Sequence, residues 1–176
     1  MISTRTAAAL FVATLLGGPI LAQTANPSTT DPLAFMKGEW VGEGTSELGQ
    51  GSGYFSFEPD LLGTVWLRRN HAEYPPPNGG PLAVHEDLMI VYRDPASKEM
   101  RAFYTDNEGH AIQYTVALSG DRRSVVFLSA VLPKEPRYRL TYVQLEPGRM
   151  SVTLEMAQPD RPDAFTKIVD GRVRRR

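Results

Sequence analysis

Residues 99–131 run EMRAFYTDNEGHAIQYTVALSGDRRSVVFLSAV. Three stretches rich in β-branched and aromatic side chains alternate there with polar ones. Two clusters of turn residues part them: Asp106-Asn107-Glu108-Gly109 and Ser119-Gly120-Asp121. Alternation with period two, bounded by Asp, Asn, Ser and Gly, is the pattern of half-buried strands joined by tight turns. Neither gap has room for a crossover helix, so the three strands are sequential antiparallel neighbours.

The same reading extends in both directions. It predicts strands near 39–46, 52–58, 63–74, 84–93, 99–105, 110–118, 124–131, 137–145, 150–157 and 164–173. The remaining separators are Gly49-Gln50-Gly51, Pro75 to Pro81, Asp94 to Ser97, Glu146-Pro147-Gly148 and Gln158 to Asp163. An open sheet of about ten strands would leave two bare edges, and closure removes them. A β-sandwich is the competing architecture, but its Greek-key connections need longer loops than most of these. The expected fold is therefore all-β: a single antiparallel up-and-down β-barrel of about ten strands. Asp31-Pro32-Leu33-Ala34-Phe35-Met36 precedes it as a short helical turn, with Asp31 as cap and Pro32 in the first turn.

Upstream, Arg5 is followed by an apolar run from Ala7 to Leu16, a Gly17-Gly18-Pro19 break and a small residue at Ala22. This is secretory-signal architecture, and the run is too short to span a bilayer. The expected organisation is a signal peptide at 1–22, a polar disordered leader at 23–32 and a barrel domain at 33–176. The expected location is periplasmic or secreted, with no membrane span. Cysteine is absent, so neither disulfides nor a lipid-modified cysteine contributes. Nineteen Lys and Arg against twenty Asp and Glu give a formal net charge of −1, which argues against a general nucleic-acid binder. The one basic run, Arg172-Val173-Arg174-Arg175-Arg176, reads as a solvated chain end.

Phe35-Met36-Lys37-Gly38-Glu39-Trp40-Val41-Gly42-Glu43-Gly44 resembles the first-strand motif of calycin-type barrels, the lipocalins and fatty-acid-binding proteins. With its Gly-x-Trp-x-Gly-x-Gly form and ten-strand count, the chain looks most like nitrobindin and related bacterial domains of unknown function. The resemblance implies structural roles for Gly38 and Trp40, with an Arg of the last strand, Arg172 or Arg174, packed against the indole. Nitrobindin-like proteins hold haem through a His near the C-terminal end of the barrel. This chain has only His71, His85 and His110. Haem is accordingly not carried over, and no cofactor is expected.

Turn positions suggest which side chains share a face. The Pro75–Pro81 loop would set His71 opposite His85. The next two turns would set Asp87 near Asp106 and Tyr104 opposite His110. One face then gathers Leu67, His71, His85, Asp87, Met89, Tyr104, His110, Tyr114, Phe127, Ser129, Arg139, Thr141, Val143, Val152, Leu154 and Met156. This face is the more apolar one and is taken as the interior. His71, His85, Asp87, Tyr104, His110, Tyr114, Ser129 and Arg139 become candidate ligand-binding residues. Arg69 shares the parity of His71 and reads either as a partner for an interior anion or as a rim ion pair. A polar-lined cavity suits a small molecule, partly apolar with a polar or anionic group. A filled interior with a structural hydrogen-bond network is the alternative. Metal ligation is not expected, because His110 falls about 13 Å from the His71–His85 pair at strand rise. No nucleophile elbow and no cysteine are present, but acid–base chemistry at Asp87 with a His, as in an isomerase or hydrolase, stays open. Residues 74–81 form a long mouth loop, either a lid or a simple connection. Oligomeric state is not written in this pattern.

Overall fold

The computed structural model describes residues 31–43, 52–75 and 80–176. The expected signal, the leader up to residue 30, the Gly49–Gly51 turn and most of the mouth loop lie outside the described residues. The rest is a closed antiparallel barrel of ten strands. They are β1 (Gly38–Glu43), β2 (Ser52–Asp60), β3 (Val65–Tyr74), β4 (Ala83–Arg93), β5 (Met100–Asp106), β6 (Ala111–Leu118), β7 (Ser124–Ser129), β8 (Arg137–Glu146), β9 (Arg149–Ala157) and β10 (Thr166–Arg175). Each pairs with its sequence neighbours, and β1 pairs with β10 to close the ring. The up-and-down barrel expected from the turns is the fold, and every predicted strand is present within a few residues of its expected bounds.

One end is sealed. A 3-10 turn, Ala34–Met36, crosses it and buries Leu33 and Met36 completely. Asp31 holds this turn by accepting from the Leu33 amide at 3.0 Å and from the Trp66 indole at 3.1 Å. Trp40, Phe57, Trp66, Val91, Val125 and Met150 fill the space behind the turn. Each fully buried side chain of this size contributes roughly 1.5–3 kcal/mol, so the plug anchors the sealed end without disulfides.

Trp40 opens β1 and is 1% exposed. Its indole Nε1 donates to the Met36 carbonyl at 2.7 Å, tying the 3-10 turn to the first strand. The arginine over its ring is Arg175, with the guanidinium carbon 5.1 Å from the ring centroid. The expected Arg172 and Arg174 do not take this role. Register places Arg172 opposite Glu43 and Arg174 opposite Val41, while Arg175 stands opposite Trp40. Gly38 has φ +118°, which only glycine adopts at little cost, and a side chain there would meet the Arg175 guanidinium.

The interior assignment holds on β4 to β7. Met89, Val91, Ala102, Tyr114, Val125, Phe127 and Ser129 are buried. It fails on β3 and β8. Ala72, not His71, stands opposite His85, and Arg139 stands opposite Leu128 rather than Phe127. A one-residue offset turns every side chain of a strand to the other face. Leu67, Arg69, His71, Arg139, Thr141 and Val143 therefore lie on the outer face. Trp66, Arg68, Asn70 and Ala72 take the inner positions of β3, and Tyr138, Leu140 and Tyr142 those of β8. On β9 the expected Val152 and Leu154 do face inward, packed against the core.

Candidate functional site

The end opposite the plug is open. Here β2, β4, β6, β8 and β10 begin and β1, β3, β5, β7 and β9 end. A cavity of about 500 Å³ descends from this mouth to a floor made by Arg68, Phe55, Tyr114 and Leu140. One wall is apolar, formed by Ile112, Val152, Leu154 and Val169. The opposite wall is polar and comes from β3, β4, β5 and the β5–β6 turn.

The floor is charged. Arg68 and Asp87 form an ion pair between Nη1 and Oδ1, with side chains 9% and 3% exposed. The Phe55 ring lies 5.3 Å from the guanidinium carbon. Burial lowers the basicity of Arg68, but the nearby Tyr142, the Asp87 carboxylate and Tyr104 outweigh it and leave the guanidinium more basic than usual. Arg68 Nε and the Tyr142 hydroxyl face each other outside hydrogen-bonding geometry, and both are sealed without a partner among the described residues. A buried charge held by one carboxylate and one ring face is costly unless its surroundings are fixed. The aromatic series Tyr104, Tyr114, Phe127, Tyr142 and Phe55, with successive centroids 5.7–6.4 Å apart, supplies that rigidity.

Above the ion pair, hydrogen bonds run up the polar wall. His85 Nε2 lies 3.3 Å from Asp87 Oδ2 and 3.2 Å from the Tyr104 hydroxyl. His85 Nδ1 lies 2.9 Å from Glu108. The Tyr104 hydroxyl donates to Asp106 Oδ2 at 3.0 Å, and His110 Nδ1 meets the same oxygen at 2.8 Å. Asp106 Oδ1 accepts the Glu108 and His110 amides. Burial opposes ionisation of Asp106, but these His110 and Tyr104 contacts prevail and hold its carboxyl below the usual range. Burial, the Asp87 charge and the bond to Asp106 push the Tyr104 phenol far up, so it stays a neutral donor.

Local sequence explains this wall. Asp106-Asn107-Glu108-Gly109 is a turn, with Gly109 at φ +93° and Asp106 capping it from within. Asn107 sews the turn to β4: its side chain accepts from the Glu86 amide and donates to the Val84 carbonyl, while its own amide donates to the Glu86 carbonyl. The turn is thus locked onto the start of β4, which brings Asp106, Glu108 and His110 to His85 and Asp87.

Of the eight candidate residues, five meet in the cavity: His85, Asp87, Tyr104, His110 and Tyr114. Ser129 is interior but structural. Its hydroxyl accepts the Tyr138 amide at 2.8 Å, and its carbonyl accepts Arg137 Nε. His71 lies outside the barrel, stacked on Tyr54 and set between Glu86 and Glu73. Arg139 is outside as well, in a two-point pair with Glu155 and 4.2 Å from the Phe165 centroid. Sequence reading missed Arg68, Asn70, Tyr74, Asp106 and Tyr138. The Arg68-Arg69 doublet announces that one arginine faces inward, because adjacent strand residues take opposite faces. Among the described residues, no group of three or more His, Asp or Glu is placed to hold a metal ion, and no helix is long and apolar enough to cross a membrane. No protein-family model matches this chain, and no curated protein matches it in sequence.

Proposed function

We propose that this is an exported barrel protein that holds a small molecule, partly apolar with a polar group, in the open-ended cavity. The observation that carries the reading is the division of that cavity. Aliphatic side chains line one side, and a pre-built polar wall lines the other, above a floor of fixed charge. Export rests on Arg5, the Ala7–Leu16 run and Ala22. The likeness to nitrobindin-like domains supports a ligand-holding barrel but not haem. The inner positions of β8 to β10 carry Tyr138, Leu140, Tyr142, Val152, Leu154, Val169, Gly171 and Val173, none of which is a histidine.

Native mass spectrometry of protein purified from its own source tests both parts. The expected result is a mature chain starting near Gln23 that carries a small organic adduct. Leu154→Trp, which places a ring in the apolar wall, should remove the adduct and keep the fold. An intact Met1 rejects export. An adduct that survives Leu154→Trp rejects the cavity.

An acid–base enzyme is the second reading, favoured by one feature. His110 is half exposed and holds its Nδ1 against the ionised Asp106, a base-and-orienter arrangement. Loss of turnover with retained binding in Asp106→Asn would select it.

A further inference from the structure

The polar groups of the cavity are not equally engaged. Asp87 uses both carboxylate oxygens, on Arg68 and on His85. Asp106 uses both of its own, on four donors. The oxygens of these two carboxylates are therefore engaged from within the protein. The donors are not. Arg68 gives Nη1 to Asp87, and its Nε is sealed within the protein, which leaves Nη2 as the nitrogen without an acceptor among the described residues. Tyr114 is 4% exposed, lines the floor beside Arg68, and its hydroxyl likewise lacks a described partner. Tyr138, across the cavity on β8, is in the same state. Burial raises both phenols, so both remain protonated donors.

Donors that open onto a preformed cavity and have no partner within the protein are placed to meet an acceptor on whatever fills it. The charge of that acceptor is set by its neighbours. Asp87 already neutralises Arg68, Asp106 is held ionised, and Glu108 stands at the mouth. A carboxylate or phosphate would add another negative charge to this poorly solvated space. An ammonium group would find the oxygens of Asp87 and Asp106 already engaged; the carboxylate oxygens left over, on Glu43 and Glu108, lie at the mouth.

Building on the small-ligand reading above, we infer that the cavity selects a neutral carbonyl-bearing ligand, a ketone, ester or quinone with an apolar body. Its oxygen is received by the Tyr114 hydroxyl and by Nη2 of Arg68. The apolar body lies against Ile112, Val152 and Leu154.

Four probes sharing one naphthalene body test this: 2-acetylnaphthalene, 2-naphthoate, 2-naphthylmethylammonium and 2-ethylnaphthalene. Each is titrated calorimetrically into the protein at neutral pH. The ketone should bind at least about fivefold tighter than each of the others, the gain expected of one or two matched hydrogen bonds. Tyr114→Phe keeps the ring and removes the donor. It should weaken the ketone by about 5–10-fold and leave 2-ethylnaphthalene unchanged. Tyr138→Phe serves as a second variant should Tyr114→Phe fail to fold. Tighter binding of the naphthoate or the ammonium overturns the neutral-carbonyl assignment and leaves the cavity reading standing. Equal binding of ketone and hydrocarbon does the same. If none of the four binds, the ligand-binding reading falls together with the inference.

Discussion

Arg68 and Asp87 show how much one residue's parity decides. A guanidinium on the outer face of β3 would be solvated, as Arg69 is; one position earlier it sits on the floor of the cavity. Breaking a buried pair by removing one partner leaves the other charge stranded. Arg68→Met or Asp87→Asn should each destabilise by about 3–5 kcal/mol, and Arg68→Met combined with Asp87→Leu should recover much of the loss. Urea unfolding of the three variants checks this; a double variant as weak as the sum of the singles would show that the pair is not a unit. His71 gives the opposite case, a titratable group on the outer face. Hydrogen bonds donated to Glu86 first, and to Glu73 second, raise its pKa above 6.5. A raised folded-state pKa stabilises fully below the unfolded value, and the effect is lost as pH rises through the folded value. The urea midpoint of the wild type should therefore exceed that of His71→Gln at pH about 6, and the gap should close by pH about 9. A gap that does not change with pH would mean that His71 makes no ionic contribution.

At the scale of the strand, what could be read from the sequence depended on the turns. Between β4 and β7 the connections are short and rich in Asp, Asn, Ser and Gly, so alternation carries across them, and Asp87 falls opposite Asp106 as expected. Between β3 and β4 the chain passes through Pro75 to Pro81, which permits either parity. His71 was accordingly expected inside, where Ala72 now stands opposite His85. The gap between Ser129 and Arg137 has the same freedom, and Arg139 was misplaced for it. Two offsets then cancel. Leu140 pairs with Leu154, and an irregularity between Gln144 and Glu146 absorbs the odd residue, so β9 presents the expected face. The candidate site was legible where it sits on β4 to β6, and illegible where it depends on the inner faces of β3 and β8. The last strand follows the same rule. The calycin resemblance implied Arg172 or Arg174 for Trp40, but only the β1–β10 register selects Arg175. Trp40→Ala should cost about 3–5 kcal/mol through the vacated volume. Arg175→Ala should cost about 0.5–1 kcal/mol, because its cation–π contact lies at the solvated end of the barrel. The double variant should lose less than the sum, while Arg174→Ala should be near neutral. Additive losses for Trp40 and Arg175 would deny the contact.

On the scale of the whole molecule, the barrel is a ring whose seam joins the two ends of the domain. Among the described residues, β1 and β10 share four residue pairs, from Trp40–Arg175 to Glu43–Arg172. A backbone bond from Arg176 to Glu39 extends the seam, and one from Arg175 to Gly148 ties the same end of β10 to the β8–β9 turn. Val173 adds a side chain buried in the core from the same stretch. The seam also sustains the cavity, since Gly171 and Val173 of β10 close the wall between the aliphatic side chains of β9 and the start of the ring. Without it β1 would keep only β2 as a neighbour, and β9 would offer an unpaired edge, the template for intermolecular pairing. With no disulfide to hold an open form together, closure must come with folding rather than after it. Deleting residues 171–176 should therefore do more than remove six residues' worth of contacts. The shortened chain should lose its cooperative thermal transition and elute as soluble aggregate in gel filtration, while a chain lacking only Arg176 should unfold like the parent. A cooperative transition within a few degrees of the full chain would show that the ten strands need no closure. The plug around Trp40 and Met36 would then be the unit that folds.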